Sequence, residues 1–461
     1  MTSNGSVPPK TVVVLGGAYG GARAAQLIAA GLPDGWRIVL IDRNSHANHV
    51  YILPRLAVLA GHEHKAFVPY DNIFNVPEPK TDGKYVFIQA QIQSLSANSV
   101  KLSRAFPEHG VESDTLHFDY AVYALGSHLP SPLNLWHASP DGKPAAHSYE
   151  GNKAESIAWL RGKQRTIEDA TSVLVVGGGA LGIQFATDIA AVYPGKPVTL
   201  LHSRTRLLPR FDSAMHTEIL QALESANVDV ILGERLDLVT ATPGHSTVRT
   251  TTGRIIHADL VLLCTGQQPN TEFLQALDSR TVNPSNSLAH VLRTTQLGLL
   301  SPPAQSIDVL ESPALEQDDT VLAAALAEIA LQDEALAESA DDKDQDGAED
   351  VEAEEMTPYP HIFVVGDAAD AFGAIPAGHN AYYQGEVAAR NVLRLIEGAG
   401  IPLEQYTPGV PAIKVSLGLK KNVYQVNGVV GVGKETRDDL NAASIWSYFG
   451  CPVADEAEMY R

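Results

Sequence analysis

TVVVLGGAYGGARAAQLIAAGLPDGWRIVLID, Thr11 to Asp42, is the stretch that decides the architecture. Thr11 to Leu15 is an apolar run with the length of a buried strand. A glycine turn follows, an alanine-rich helix opens from it, and a second apolar strand, Arg37 to Ile41, ends on Asp42. This order is a βαβ unit carrying a dinucleotide fingerprint. Gly16 admits the tight turn, and Gly21 lets helix and strand pack closely. The free N–H groups where Gly17, Ala18, Tyr19 and Gly20 lead into the helix face a pyrophosphate. Asp42 lies 26 positions after Gly16, with Arg43 next to it, and its carboxylate can accept from a ribose hydroxyl. The middle glycine of G-x-G-x-x-G is Ala18 here, and its methyl narrows the approach of the phosphates while Gly17 and Gly20 keep the turn flexible. One such motif is weak by itself, because a plain strand-turn-helix reads similarly.

The pattern then returns. Ser172 to Val176 (SVLVV) is an apolar strand, Gly177-Gly178-Gly179-Ala180-Leu181-Gly182 is a full G-x-G-x-x-G, and Pro197 to His202 is the second strand. His202 lies 25 positions after Gly177, against 26 in the first unit. A repeated unit at matched spacing is far more specific than either copy. Each unit also closes alike: Asp119 to Gly126 and Ala258 to Gly266 both read as an acid, an apolar strand, then a small residue and glycine. The second unit ends in His202-Ser203-Arg204-Thr205-Arg206, with no acid to repel a 2′-phosphate, so NADPH is permitted beside NADH. Solvated surface arginines are the bland reading of Arg204 and Arg206.

A chain of 461 residues has room for two or three domains and a large core, and its 44% hydrophobic content fits a soluble globular protein. No apolar run reaches the roughly 18 residues of a membrane helix. The start MTSNGSVPPK lacks an apolar signal region, and Thr2 in place of glycine excludes N-myristoylation. Cys264 and Cys451 stand far apart with no C-x-x-C, so no dithiol centre and no metal site are expected, and a reducing, cytoplasmic location follows. The formal charge of −21 is mostly local: Pro303 to Thr357 holds 18 acids and one base, Lys343, leaving the rest of the chain near −4. A nucleic-acid-binding basic face is therefore disfavoured. Within that segment Val321 to Ala340 is helix-forming and Asp341 to Glu355 almost purely polar, which predicts a solvated, partly disordered insertion.

Pro54-Arg55, shortly after Asp42, is placed to return under a bound cofactor. Pro130 and Pro132 mark an exit to a linker. His361 to Asp367, HIFVVGD, is an apolar strand ending in Gly366-Asp367, followed by a helix from Ala377 to Ile396 that carries Gln384. That arrangement sets a carboxylate beside a sugar or ribityl chain at a helix N-terminus. The C-terminal part, Ala412 to Arg461, has three strand signals and an aromatic patch, Ile445 to Phe449, that reads as core or interface.

The order GGAYGG with Asp42, FDYAVYALGS, GGGALG, ADLVLLCTG and IFVVGD resembles the two-dinucleotide-domain flavoprotein oxidoreductases. Within them, HANHVYILPRLAV, HKAFVPY, AVYPGKPVTLLHSR and LVLLCTG resemble the apoptosis-inducing-factor-like branch, which includes the ferroptosis-suppressing quinone reductase. The resemblance covers essentially the whole chain except the acidic insertion. It implies an α/β fold of two Rossmann-like domains, with FAD in the first, NADH or NADPH in the second, and a quinone-like or aromatic acceptor at the flavin. On that basis residues 1–130 begin the FAD domain, 131–280 form the NAD(P)H domain, and 281–300 return to the FAD domain. Residues 301–357 are the acidic insertion, 358–404 complete the FAD domain, and 405–461 form a small C-terminal α+β region. Carried over, Gly16, Gly17, Gly21 and Asp42 would hold the adenosine and pyrophosphate of FAD, and Arg55 would lie against the cofactor. Gly126 would close the first domain, Asp367 would bind the ribityl side, and Gly177, Gly179 and Gly182 would hold NAD(P)H. Gln184 stands where the family often has a glutamate, and Pro376 where relatives place a lysine, which leaves the acceptor open. The flavin performs the chemistry, so no protein nucleophile is expected. A tailoring oxidoreductase of aromatic or polyketide-like metabolites and a redox-sensing scaffold remain as rival readings. Contact with a membrane surface is compatible with a quinone acceptor.

Overall fold

The computed structural model describes residues 9–75, 83–128, 150–240, 246–300, 357–398 and 400–461. The acidic insertion, apart from Thr357, and the linker exit at Pro130 and Pro132 lie outside them.

The two glycine units build two parallel sheets. The strand Lys10–Leu15, in which Val12 to Leu15 are fully buried, pairs in parallel with Trp36–Asp42 on one side and Tyr120–Tyr123 on the other. Tyr85–Gln89 adds beyond Trp36–Asp42. On the opposite edge comes Tyr359–Val364, and then the antiparallel Gln296–Leu297. Strands from the start of the chain and from beyond residue 358 thus share one six-stranded sheet. The second sheet has four parallel strands, in the order Asp229–Leu232, Val198–His202, Val173–Val176 and Leu260–Leu263. Strands buried on both faces read as continuous Val, Ile and Leu runs, which is why these were legible in the sequence. Ser127–His128 and Gln268–Pro269, which follow the closing strand of each unit, pair antiparallel and tie the two halves together.

Helix Gly20–Gly31 crosses helix Gly378–Glu397 at glycines. A Cβ on Gly20 would stand 2.4 Å from the Ala381 carbonyl oxygen, and one on Gly385 would stand 2.3 Å from that of Gly20. Gly20 therefore serves a helix crossing rather than the turn flexibility expected of it. Helix Lys153–Asp169 begins at a capping box in which Asn152 and Glu155 satisfy each other's backbone N–H groups.

The C-terminal segment forms an antiparallel sheet of Ile413–Leu417, Lys421–Val426 and Val429–Lys434, packed on helix Ala180–Val192. The aromatic patch becomes a 3-10 helix, Ala442–Phe449. Trp446 is fully buried there and donates from its indole nitrogen to the Lys65 carbonyl at 3.1 Å. It packs in the same core cluster as Val12, Ile38 and Phe363, so Trp446 and Phe449 are core, while Ile445 and Tyr448 are half-buried on the cleft. Among the described residues no helix is long and apolar enough to cross a membrane.

Candidate active site

Both glycine turns are built the same way. Gly16 (φ 94°) and Gly177 (φ 125°) lie in a backbone region that favours glycine. A Cβ would stand 2.4 Å from the Ala124 carbonyl oxygen at Gly16 and 2.1 Å from that of Cys264 at Gly177. Each first glycine thus presses on the end of the strand that closes its unit. Gly21 and Gly182 in turn rest on the carbonyls of Gly16 and Gly177.

The residue ending each second strand also repeats. Asp42 Oδ2 accepts from the Gly17 N–H at 2.8 Å, and His202 Nδ1 accepts from the Gly178 N–H at 3.0 Å. Asp42 accepts further from the Asn44 N–H at 2.8 Å and the Tyr70 hydroxyl at 3.3 Å. Burial pushes its carboxyl above the ordinary value against the pull of those hydrogen bonds. With roughly four lone-pair sites, a carboxylate so engaged keeps about one for a ribose hydroxyl. At His202, burial lowers the pKa, and Nε2 is buried without a partner.

A cleft of about 2230 Å³ runs between the turns. Gly16, Gly17, Ala18, Tyr19, Gly20, Gly21, Asp42 and Arg43 wall one end, with Gly126, Gly366 and Asp367 beside them, and Gly179 and Gly266 lie towards the other. Gly177 and Gly182 sit behind the second turn, supporting it. Between the two ends, the Ser127 hydroxyl lies 2.8 Å from Asp367 Oδ2 and 2.6 Å from Gln267 Oε1. This joins the residue after Gly126, the residue after Gly266 and the acid after Gly366. Burial raises the Asp367 carboxyl, and Ser127 opposes the shift.

Arg55 and Gln384 are placed otherwise than expected, and the residues after the second unit are unequally free. Arg55 does not reach the cleft: it is fully buried, donating to Asp188 Oδ2 at 2.8 Å and to the carbonyls of Asp438 and Gly418 at 2.7 Å each. All faces of its guanidinium are committed to protein, so it is a tie between elements rather than a cofactor contact. Gln384 also stands behind the wall, its Oε1 accepting from the Gly366 N–H at 2.7 Å, so it shapes the turn before Asp367. Arg204 is exposed and has no side-chain partner among the described residues, while Arg206 donates to the carbonyls of Pro209 at 3.2 Å and Phe211 at 2.8 Å. Arg204 is therefore the freer of the two to meet an incoming 2′-phosphate. His202 is occupied at Nδ1, and its Nε2 is buried.

Residues 10–288 match the family model described as pyridine nucleotide-disulphide oxidoreductase. The chain belongs to this family. Fe-regulated protein 8 of Mycosarcoma maydis is 38% identical over 453 residues, covering 97% of this chain and 96% of that protein. Ferroptosis suppressor protein 1 of Taeniopygia guttata is 29% identical over 272 residues, covering 56% of this chain and 63% of that one. These relatives set the chain in the apoptosis-inducing-factor-like branch. The solved structure of NDH2 from Plasmodium falciparum in complex with NADH superposes with a TM-score of 0.63 at 11% identity, covering 96% of this chain and 97% of that one, which shows the shared fold.

An FAD-dependent NAD(P)H oxidoreductase needs two dinucleotide cradles facing one another, and the residues present fit that requirement. The first cradle has its helix N-terminus and Asp42 on the cleft. At the second, an added Cβ on Gly179 meets nothing within 4 Å, leaving open space where phosphates approach. When bound, the flavin takes the electron pair of a dihydronicotinamide and hands it on. The protein's part is to align the two rings and keep water out.

Tyr19 and Gln184, both singled out in the sequence, stand on the wall beside residues that sequence reasoning missed: His49, Tyr51, Lys414, Asn422 and Glu435. Tyr19 caps the first helix with φ 35°, and its hydroxyl meets His49 Nδ1 at 3.1 Å. Burial holds His49 down at about 4, so it is neutral. The Tyr51 hydroxyl and the Gln184 amide nitrogen, both on the cleft, are buried without partners. From the C-terminal sheet and the residue directly after it come Lys414, Asn422 and Glu435. Their only signal is the polar positions that punctuate the C-terminal strand signals.

Proposed function

We propose that the protein passes electrons from NAD(P)H through FAD to a quinone-like acceptor. The observation that supports this reading is the aromatic part of the cleft lining, where Tyr382 meets Tyr383 and Tyr448 edge to face. A flat, mostly apolar acceptor suits such a surface. The cysteines favour no rival relay: Cys264 and Cys451 are both buried and unpaired, and burial raises both thiols. A lipid-soluble quinone would be met at a membrane surface, which a peripheral contact would serve.

The test is an acceptor panel on purified, FAD-loaded protein with NADH and NADPH: a short-chain ubiquinone analogue, ferricyanide, oxygen and hydroxylated aromatic compounds. The expected result is saturable quinone turnover well above that with oxygen. Turnover confined to hydroxylated aromatics would favour the tailoring enzyme, and a trickle with every acceptor would favour the redox-sensing scaffold.

A further inference from the structure

Resting on the quinone reading, we propose that Lys414 is the proton donor to the acceptor, held in place by Glu435. Two-electron reduction of a quinone follows quinone + NAD(P)H + H⁺ → hydroquinone + NAD(P)⁺. The nicotinamide supplies two electrons and one proton's worth of hydrogen as hydride. The second acceptor oxygen must therefore take its proton from a group that the medium can recharge.

The pair lies where that group is needed. Lys414 Nζ is 3.2 Å from each carboxylate oxygen of Glu435, and Asn422 Nδ2 donates to Glu435 Oε1 at 3.0 Å. Lys414 and Asn422 stand on the C-terminal sheet, Glu435 directly follows its last strand, and all three line the same cleft as both nucleotide turns. The exposures divide the work: the Glu435 side chain is 6% exposed and the Lys414 side chain 38%. A buried carboxylate with two donors is a fixed anchor, whereas a half-open ammonium can give a proton inward and regain one from solvent.

The neighbours point the same way. The Tyr51 phenol, which lines the same cleft, is held protonated by burial first and by the charge of Glu435 next. Its hydroxyl and the nitrogen of Gln184, 6% exposed, are buried on the cleft with no partner in the protein. Two unpartnered donors cost free energy unless a ligand oxygen meets them, so the carbonyl end of an acceptor belongs beside Lys414. In the transfer, the Nζ–H bond breaks, an O–H bond forms on the acceptor, and the neutral amine is reprotonated by water.

The experiment compares full-length FAD-loaded wild type, Lys414→Met and Lys414→Arg with a short-chain ubiquinone analogue and with ferricyanide, a one-electron acceptor that takes no proton. FAD content, melting temperature and the solvent deuterium isotope effect are measured alongside. General acid catalysis contributes roughly 10²-fold or more. The ratio of quinone to ferricyanide turnover should therefore fall at least about tenfold in Lys414→Met. It should stay low in Lys414→Arg, because guanidinium keeps the ion pair but does not release its proton. The isotope effect on quinone turnover should change with it. An unchanged ratio in Lys414→Met, or full rescue by arginine, overturns the proposal and assigns Lys414 a structural or charge role. Absence of quinone turnover in wild type, with ferricyanide still reduced, overturns the quinone reading itself and this proposal with it.

Discussion

Arg55→Met tests whether the buried arginine is a tie or a cofactor contact. Arg55 sits on the short helix Leu53–Leu56 and its three donors end on three different places: helix Ala180–Val192 through Asp188, the turn at Gly418, and the loop at Asp438. Both side chains of the ion pair are 0% exposed. Burial pushes the Asp188 carboxyl up to about 6 and Arg55 pulls it down, so it is ionised at neutral pH. Methionine fills the volume but strands that carboxylate and two carbonyl oxygens. Removing one partner of a buried pair costs about 3–5 kcal/mol. At roughly 2.1 cal/mol/K per residue over 461 residues, a loss of about 4 kcal/mol lowers the melting temperature by about 4 °C. The assay is thermal unfolding of apo and FAD-loaded protein, with Asp188→Leu and the double variant to close the cycle. The double variant should be less destabilised than the sum of the singles by about 2 kcal/mol or more, since it leaves no unpaired charge. An apo melting temperature within about 1 °C of wild type together with a sharp loss of FAD affinity would refute the tie and return Arg55 to the cofactor.

Stability should fall on acidification: burial holds His46 at about 3 and His49 at about 4, below the unfolded value near 6.5. The unfolded chain therefore takes protons first, and stability, complete above about pH 6.5, drops by about 2 kcal/mol per histidine by pH 5. Asp188, raised in the folded state, offsets part of this below pH 6; a urea midpoint that does not move between pH 7.5 and 5 would contradict the neutral burial of the two rings. Gly20→Ala, whose methyl would meet the Ala381 carbonyl at 2.4 Å, should cost about 1–3 kcal/mol by opening the helix crossing, seen as a lower melting temperature. Gly179→Ala, with nothing within 4 Å, should melt like wild type and raise the KM for NAD(P)H a few fold; a folding defect there would mean the turn is tighter than its geometry. Arg204→Ala should raise the KM for NADPH about tenfold, the lower end of a charge-assisted contact worth about 1.5–3 kcal/mol, and leave NADH little changed. Equal loss of both nucleotides would show that the ribose is read elsewhere.

Local patterns made the two βαβ units legible. Val12 to Leu15 and Val173 to Val176 are buried on both faces, and Gly16 and Gly177 sit where only a turn against a neighbouring strand is possible. What was missed depends on partners far along the chain. Arg55 stands among Ile52, Leu53 and Leu56, and its three acceptors lie 133, 363 and 383 positions away. No spacing rule reaches that far. Gln384 is legible only as a residue of its helix, because its role as acceptor for the Gly366 N–H is set by a turn 18 positions earlier. Lys414 and Glu435 are 21 positions apart and meet only because three strands fold back in register.

The substitution of His202 for an acid is the case where sequence and geometry together say more than either. From the sequence, the absence of a carboxylate implied only tolerance of a 2′-phosphate. The structure adds that the position has a second duty, accepting the N–H of the glycine turn, which Asp42 performs at Gly17 and His202 performs at Gly178. A backbone N–H can only donate, so His202 Nδ1 must be the acceptor and the proton must sit on Nε2. Burial lowers the pKa of the ring, opposed by the Arg206 backbone and aided by the charge of Arg204. The second turn thus keeps the hydrogen bond that shapes it and loses the negative charge that would repel a phosphate. A carboxylate can do the first of these but not the second, so the charge at this position differs between the two units while the turn stays the same.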